Sequence, residues 1–221
     1  LTEREAPRKQ EMKAAAISMA KKAERLGVDI RMNTKVTPEM IEEIKPHTVM
    51  NAIGAESIIP PIPGVDKAFV KDSHDVLDGK AEATGNVVVI GGGMVGMETA
   101  EYLAEKGAKV SVLEMLPDIC SDMGTTRKIC MGEEIQKSGI IPVTSVKVTE
   151  IGDNVVIGEK DGEKVEFPCD TAVLAIGAKK RDGSALAETC YKNGIGYFEI
   201  GDAAMARRAI NATREAMDAA L

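Results

Sequence analysis

Four consecutive apolar residues, Val87 to Ile90, run into the glycines Gly91 to Gly93. A run that short, built mainly of β-branched side chains, predicts a strand buried on both faces, as in the middle of a parallel sheet. Past the glycines the spacing becomes helical. Gly96, Thr99, Ala100 and Leu103 fall at i, i+3, i+4 and i+7, and Gly107 stands where such a helix closes. Lys109 to Leu113 then reads as a second strand, and it ends in Glu114.

The rest of the chain carries the same alternation of periods. Met12, Ala15, Ala16, Met19, Ala23 and Leu26 lie on one face of a helix over residues 9–26, predicted to face the core and to close at Gly27. Val28, Ile30 and Met32 alternate as a short strand, and Thr37-Pro38 reads as the cap and first position of a helix through Ile44. Thr48 to Gly54 is an apolar strand, followed by a proline-rich connector. Residues 65–85 read as a polar link. There His74 and Asp75 sit near Asp72, and a solvated loop or a helix cap accounts for them without a metal. Gly124 to Lys137 predicts a helix closed by Gly139, and Ile140 and Ile141 start a further strand. From Ser145 the period is two, with turn residues at Gly152-Asp153 and Asp161-Gly162, which predicts an antiparallel meander. Thr171 to Gly177 is a buried strand that repeats the Ala-Ile-Gly-Ala of Ala52 to Ala55. Residues 184–196 read as a polar connection, and Ala203 to Leu221 as a helix with Ala209, Ala212, Thr213, Ala216, Met217 and Ala220 on one face.

Gly91, Gly93 and Gly96 have the G-x-G-x-x-G spacing between a strand and a helix. The first glycine permits the turn, the second lets a pyrophosphate approach the backbone, and the third lets helix and strand pack closely. The helix then points its free amides and positive dipole end at the turn. The candidate site is therefore Gly91, Gly92, Gly93, Met94, Val95 and Gly96, with Glu114 placed for a ribose hydroxyl and Gly177 at the end of a neighbouring strand. A glycine turn of purely structural use, and a Glu114 that only points into solvent, are the alternatives. Near the C-terminus, Gly201-Asp202 ends a strand before a helix; Asp202 either presents a carboxylate to a sugar hydroxyl or caps that helix.

Composition narrows the ligand. A formal net charge of −7 with no basic stripe disfavours nucleic acid, and no apolar run reaches the roughly 20 residues of a membrane span. Cys120, Cys130, Cys169 and Cys190 include no C-x-x-C pair, so reduced, mostly buried thiols are expected and neither a metal nor a dithiol centre. With no secretory signal, a cytoplasmic protein is expected. The chain begins at Leu1, which suggests a piece of something longer.

In combination, Ala-Ile-Gly-Ala with IPPIPGVD, DVLDGK, VVVIGGGMVGMETAEYLAEKG, TAVLAIGA and GDAAMARRAINATREAMDAAL resemble the two-dinucleotide-domain flavoproteins. More narrowly, they resemble the C-terminal portion of NADH:flavin oxidoreductases of the old-yellow-enzyme class, the group of 2,4-dienoyl-CoA reductase, enoate reductases and trimethylamine dehydrogenase. The resemblance implies an α/β fold, a Rossmann-like NAD half with an antiparallel meander over residues 84–180. This half would be inserted in an incomplete Rossmann-like FAD half, residues 1–83 and 181–221. It implies NAD(H) at Gly91, Gly93, Gly96 and Glu114. Ala52, Gly54, Gly201 and Asp202 would contact FAD in the full-length parent, with Asp202 at the ribityl chain. Ile53 replaces a threonine of the family's pattern and loses a hydroxyl there. FMN and an iron-sulfur cluster would belong to a missing N-terminal barrel, and the remainder of that parent chain would be a partner. No catalytic side chain and no metal ligand are implied here. Incomplete sheets would expose edges at Val28 to Met32 and Thr48 to Ile53 and favour a homo-oligomer. A non-catalytic module holding an ADP-type nucleotide is the rival reading.

Overall fold

The computed structural model describes residues 10–121 and 123–221. Helix α1 (Gln10–Arg25) is followed by α2 (Pro38–Ile44), β1 (Thr48–Asn51), β2 (Ala55–Ser57), β3 (Val70–Asp72) and α3 (Ser73–Leu77). Next come β4 (Asn86–Ile90), α4 (Met94–Glu105), β5 (Lys109–Leu113), α5 (Thr125–Ser138) and β6 (Ile141–Val143). A meander follows, β7 (Lys147–Ile151), β8 (Val155–Lys160) and β9 (Glu163–Pro168), then β10 (Thr171–Leu174) and β11 (Ala178–Lys180). The chain ends with α6 (Ser184–Lys192), β12 (Gly196–Glu199), a 3₁₀ turn at Gly201–Ala203, and α7 (Ala209–Ala220). Two compact units result, residues 10–26 with Ile59–Gly177, and Gly27–Ile58 with Ala178–Leu221.

The first unit holds a five-stranded parallel sheet in the order β3-β10-β4-β5-β6. Successive residues of β4 point to opposite faces, and both faces are buried. Val87 and Val89 join Ala100 and Leu103 of α4 and Val112 of β5 in one apolar cluster. Val88 and Ile90 join Leu113, Leu174, and Ile151 and Val156 of the meander in another. A helix layer thus covers one face and the meander the other, which is why the strand reads as a continuous apolar run. At the second hairpin, Asp161 and Gly162 have φ of 53° and 82°, the paired positive angles that let a two-residue turn follow the strand twist.

Two expectations fail in this unit. The presumed link over residues 65–85 contains an edge strand, with Val70 opposite Ala172, and a short helix that buries Val76 and Leu77. Asp72 caps that helix, accepting from the amides of His74 at 2.8 Å and Asp75 at 3.3 Å. A three-residue strand and a five-residue helix carry too few apolar positions to show a period, and the compact unit therefore starts well before residue 84. Helix α1 forms where expected, yet its apolar face is not core: Met12 is 59%, Met19 62% and Leu26 73% exposed.

In the second unit β1 pairs parallel with β12, and β2 pairs antiparallel with β11. Thr37 caps α2, its hydroxyl accepting from the Met40 amide at 3.4 Å. Ile41, Cys190 and Ile195 form a small buried cluster with Val49, Leu186 and Tyr197 packed on it. Across the other face Met50 stands opposite Phe198. Residues 28–32 form no strand here, so that segment offers no sheet edge for a second chain. The connection over 184–196 is a helix, α6, for most of its length. The last helix opens at Ala209 and not Ala203, and none of its residues is buried, with Met217 68% exposed.

Leu103, 1% exposed between α4 and the sheet, tests this packing. Leu103→Ala should lower unfolding stability by about 2–5 kcal/mol in urea melts. A loss below about 1 kcal/mol would mean that α4 does not pack on the sheet as described.

Candidate functional site

At the carboxyl end of β4 the three glycines do three different things. Gly91 has φ +110°, and a β-carbon there would lie 2.4 Å from the carbonyl oxygen of Ala175, just past β10. At Gly96 a β-carbon would lie 1.9 Å from the Gly91 carbonyl oxygen, so the first turn of α4 rests directly on the turn below it. Gly93 is different: it is exposed, and nothing stands within 4 Å of its β-carbon position. It also caps α4 without any side-chain hydrogen bond. Amides of the first helical turn lack partners inside a helix, and here the first intrahelical bond at this end runs from Met97 to the Gly93 carbonyl at 3.0 Å. The amides of Met94, Val95 and Gly96 and the open side of Gly93 therefore form a cradle for an anion.

Gly92 is buried, and its amide donates to Glu114 Oε2 at 2.6 Å. The other carboxylate oxygen accepts from the Leu116 amide at 2.8 Å. Glu114 is accordingly fixed beside the turn rather than pointing into solvent. Each carboxylate oxygen has two lone-pair directions, so acceptor capacity is left for a sugar hydroxyl. Gly177, with φ +102°, follows Ala175 by two residues and is exposed at the end of β10.

Sequence reasoning missed the loop that closes this turn from the β5 side. Ile119 Cγ2 lies 3.0 Å from the β-carbon position of Gly92. The Cys120 amide donates to the Gly92 carbonyl at 2.8 Å, and the residue holds φ +46° to do so. No periodicity marks such a loop. The cysteines otherwise match expectation: Cys120, Cys169 and Cys190 are buried and reduced, with Cys130 exposed on α5. Burial, and then the neighbouring Asp170, push the Cys169 thiol up to about 11, so it stays protonated at neutral pH. Among the described residues no helix is long and apolar enough to cross a membrane.

In the second unit Ala52, Gly54, Gly201 and Asp202 line one cleft of about 360 Å³, together with Arg207 and Ala212. The strand end is braced from within. Buried Asn51 accepts from the Ile53 amide at 3.2 Å and donates to the Tyr197 hydroxyl at 2.8 Å. The Gly201 amide donates to Glu215 at 2.8 Å, and Arg207 pairs with the same carboxylate. Those two contacts, the amide first, hold the Glu215 carboxyl below the usual range. Asp202 does not cap the last helix, which starts at Ala209 after the cap residue Arg208. Its carboxylate is exposed at the cleft and accepts from the Arg207 amide at 3.2 Å.

A family model described as pyridine nucleotide-disulphide oxidoreductase matches residues 10–205. The chain belongs to that family. Among relatives, it is 42% identical over 173 residues to bilirubin reductase of Mediterraneibacter gnavus, 78% of this chain and 27% of that one. It is 41% identical over 184 residues to NADH oxidase of Thermoanaerobacter brockii, 81% of this chain and 28% of that one. Of solved structures, a 2-naphthoyl-CoA reductase complex superposes with a TM-score of 0.80 at 30% identity, over 87% of this chain and 29% of that one. The chain thus spans less than a third of the length of these relatives. The α/β fold with parallel and antiparallel strands is that of the pyridine nucleotide-disulphide oxidoreductases, and these relatives carry oxidoreductase names.

The different surroundings of the glycines give a direct test. Gly93→Ala keeps ordinary helix-entry angles, φ −72° and ψ −177°, and meets no neighbour. It should melt within a few degrees of the parent while weakening dinucleotide binding about tenfold or more in calorimetric titration. Gly96→Ala should lower the melting temperature instead, because the methyl group meets the Gly91 carbonyl. Equal losses of stability in the two variants would contradict these roles.

Proposed function

We propose that the first unit binds NAD(H) and is the nicotinamide-nucleotide domain of a flavin-dependent NADH oxidoreductase. One observation carries this reading: the only glycine of the motif with open space at its β-carbon position is the one that faces the helix N-terminus. The pyrophosphate would rest on Gly93 and the first-turn amides of α4, and Glu114 would take the adenosine ribose hydroxyls. When bound, the nicotinamide ring supplies a hydride, and the protein contributes position and electrostatics. The old-yellow-enzyme subgroup, with electrons passing through FAD toward FMN and an iron-sulfur cluster in a longer parent, is the finer form of this proposal. It is supported by the sequence resemblance.

The second unit fits the rim of a flavin site but lacks its centre. Its cleft offers Gly54, Gly201 and the Asp202 carboxylate, yet the parallel sheet has two strands among the described residues and no G-x-G-x-x-G turn. A flavin pyrophosphate therefore finds no helix N-terminus of the kind seen at Gly93. The purified chain should be colourless, with no absorbance band near about 450 nm, where oxidised flavin absorbs, because no pyrophosphate cradle holds it. Stoichiometric flavin by mass spectrometry would overturn this, and would also weaken the rival reading of an ADP-type binding module.

Nucleotide choice follows from Glu114. A 2′-phosphate placed at the ribose would bring like charges to about 4 Å, a repulsion of about 4 kcal/mol per charge pair at an effective dielectric of 20. Salt and side-chain movement relieve much of it, and a third still gives about tenfold discrimination. NADH should bind about tenfold more tightly than NADPH in calorimetry. Because Glu114 holds the amides of Gly92 and Leu116 through separate oxygens, Glu114→Gln, which keeps one acceptor where truncation keeps none, is the milder variant; it should narrow the ratio chiefly by improving NADPH. Equal affinities in the unsubstituted chain would sink the assignment.

A further inference from the structure

In the cleft of the second unit an anion is already held, and the chain itself supplies it. Gly201 has φ +59°, and a β-carbon there would lie 2.9 Å from Ala212 Cβ, so the 3₁₀ turn packs directly against α7. Glu215 stands three residues beyond Ala212, on the same side of that helix, and reaches back to the turn. Its Oε2 accepts from the Gly201 amide at 2.8 Å, and its Oε1 pairs with Arg207 Nη2. Gly201, Arg207 and Ala212 all line the cleft of about 360 Å³, together with Ala52 and Gly54. An amide and a guanidinium that converge on the two oxygens of one acid are the donor set of an oxyanion site. Helix α7 buries no side chain, so this carboxylate is not drawn to the turn by apolar packing of its helix.

We propose that the Gly201 amide and the Arg207 guanidinium form an oxyanion subsite of the cleft, that Glu215 occupies it as a tethered internal ligand, and that α7 is thereby latched against the cleft. A ligand that brings a carboxylate or a phosphate to Gly201 has to displace Glu215 first. The tether presents its carboxylate at an effective concentration of about millimolar or more, so a free small anion loses the competition. A ligand with further contacts in the cleft wins it and releases α7. Truncating Glu215 leaves the same donors open. The inference goes beyond the dinucleotide reading of the first unit and does not depend on it.

Titration with inorganic phosphate and with acetate, followed at the Gly201 amide by NMR, tests this. The proteins are the unsubstituted chain, Glu215→Gln, Glu215→Ala, and Glu215→Ala combined with Arg207→Met. In Glu215→Ala the Gly201 resonance should saturate at an anion concentration at least about tenfold lower than in the unsubstituted chain. Glu215→Gln should lie between them, since it keeps one acceptor without the charge. Adding Arg207→Met should abolish the gain. The two anions separate a carboxylate ligand from a phosphate ligand, and tighter saturation by either one supports the subsite. Binding no tighter in Glu215→Ala, or a gain that survives Arg207→Met, would overturn it; should Glu215→Ala not fold, Glu215→Gln carries the same comparison. Failure of the unsubstituted chain to bind NADH would remove the reading of the first unit and leave this inference standing.

Discussion

The contact on which the first unit depends is the approach of the α4 backbone to the Gly91 carbonyl. With 1.9 Å between that oxygen and a β-carbon at position 96, no side chain of any kind fits. That closeness brings the helix axis over the end of β4, so that Thr99, Ala100 and Leu103 reach the sheet. It also aims the unpaired first-turn amides at the space above Gly93. Close packing and the outward aim of those amides are thus one geometric fact seen from two sides. Gly91 carries the third side, since its own position is fixed by Ala175 at the end of the adjacent strand.

The central strand shows why this unit needed so little local information. A strand covered on both faces must be apolar at every position, and β4 is, from Val87 to Ile90. One face receives α4 and its neighbours and the other receives the meander, through Ile151 and Val156. The meander therefore acts as a lid on the sheet as well as an appendage to it. Its turns at Asp161-Gly162 adopt the positive φ angles that their residue types announce.

Legibility followed the length and covering of each element. The β4-turn-α4-β5 run, α5 with its Gly139 cap, and the three meander strands were all readable because each carries several periodic positions. Strand β3 and helix α3 were not, with three and five residues apiece. Helix α6 was missed because its few buried residues, Thr189 and Cys190, are adjacent and make no stripe. For α1 the pattern gave the helix but not its burial: periodicity states which side is apolar and says nothing of what lies against it. Around the glycine turn, the placement of the glycines and of Glu114 was legible from spacing. That of Ile119 and Cys120 was not, since a loop is shaped by tertiary contacts that leave no period in the chain.

In the proposed function, Glu114 would link shape to selectivity. Its two oxygens hold the amides of Gly92 and Leu116, so the carboxylate is oriented before any ligand arrives. A ribose hydroxyl then meets an acceptor whose rotamer freedom is already lost to the fold, which removes an ordering cost from binding. The same two bonds tie the glycine turn to the start of the loop that follows β5. In the proposed function, charge at position 114 would therefore do two jobs at once, repelling a 2′-phosphate while its oxygens keep the turn in register with its loop. Glutamine would remove the charge and keep one of the two acceptor oxygens, whereas truncation removes both. The proposed selectivity is consequently a property of a hydrogen-bonded frame, in which the carboxylate proposed to discriminate is itself one of the struts.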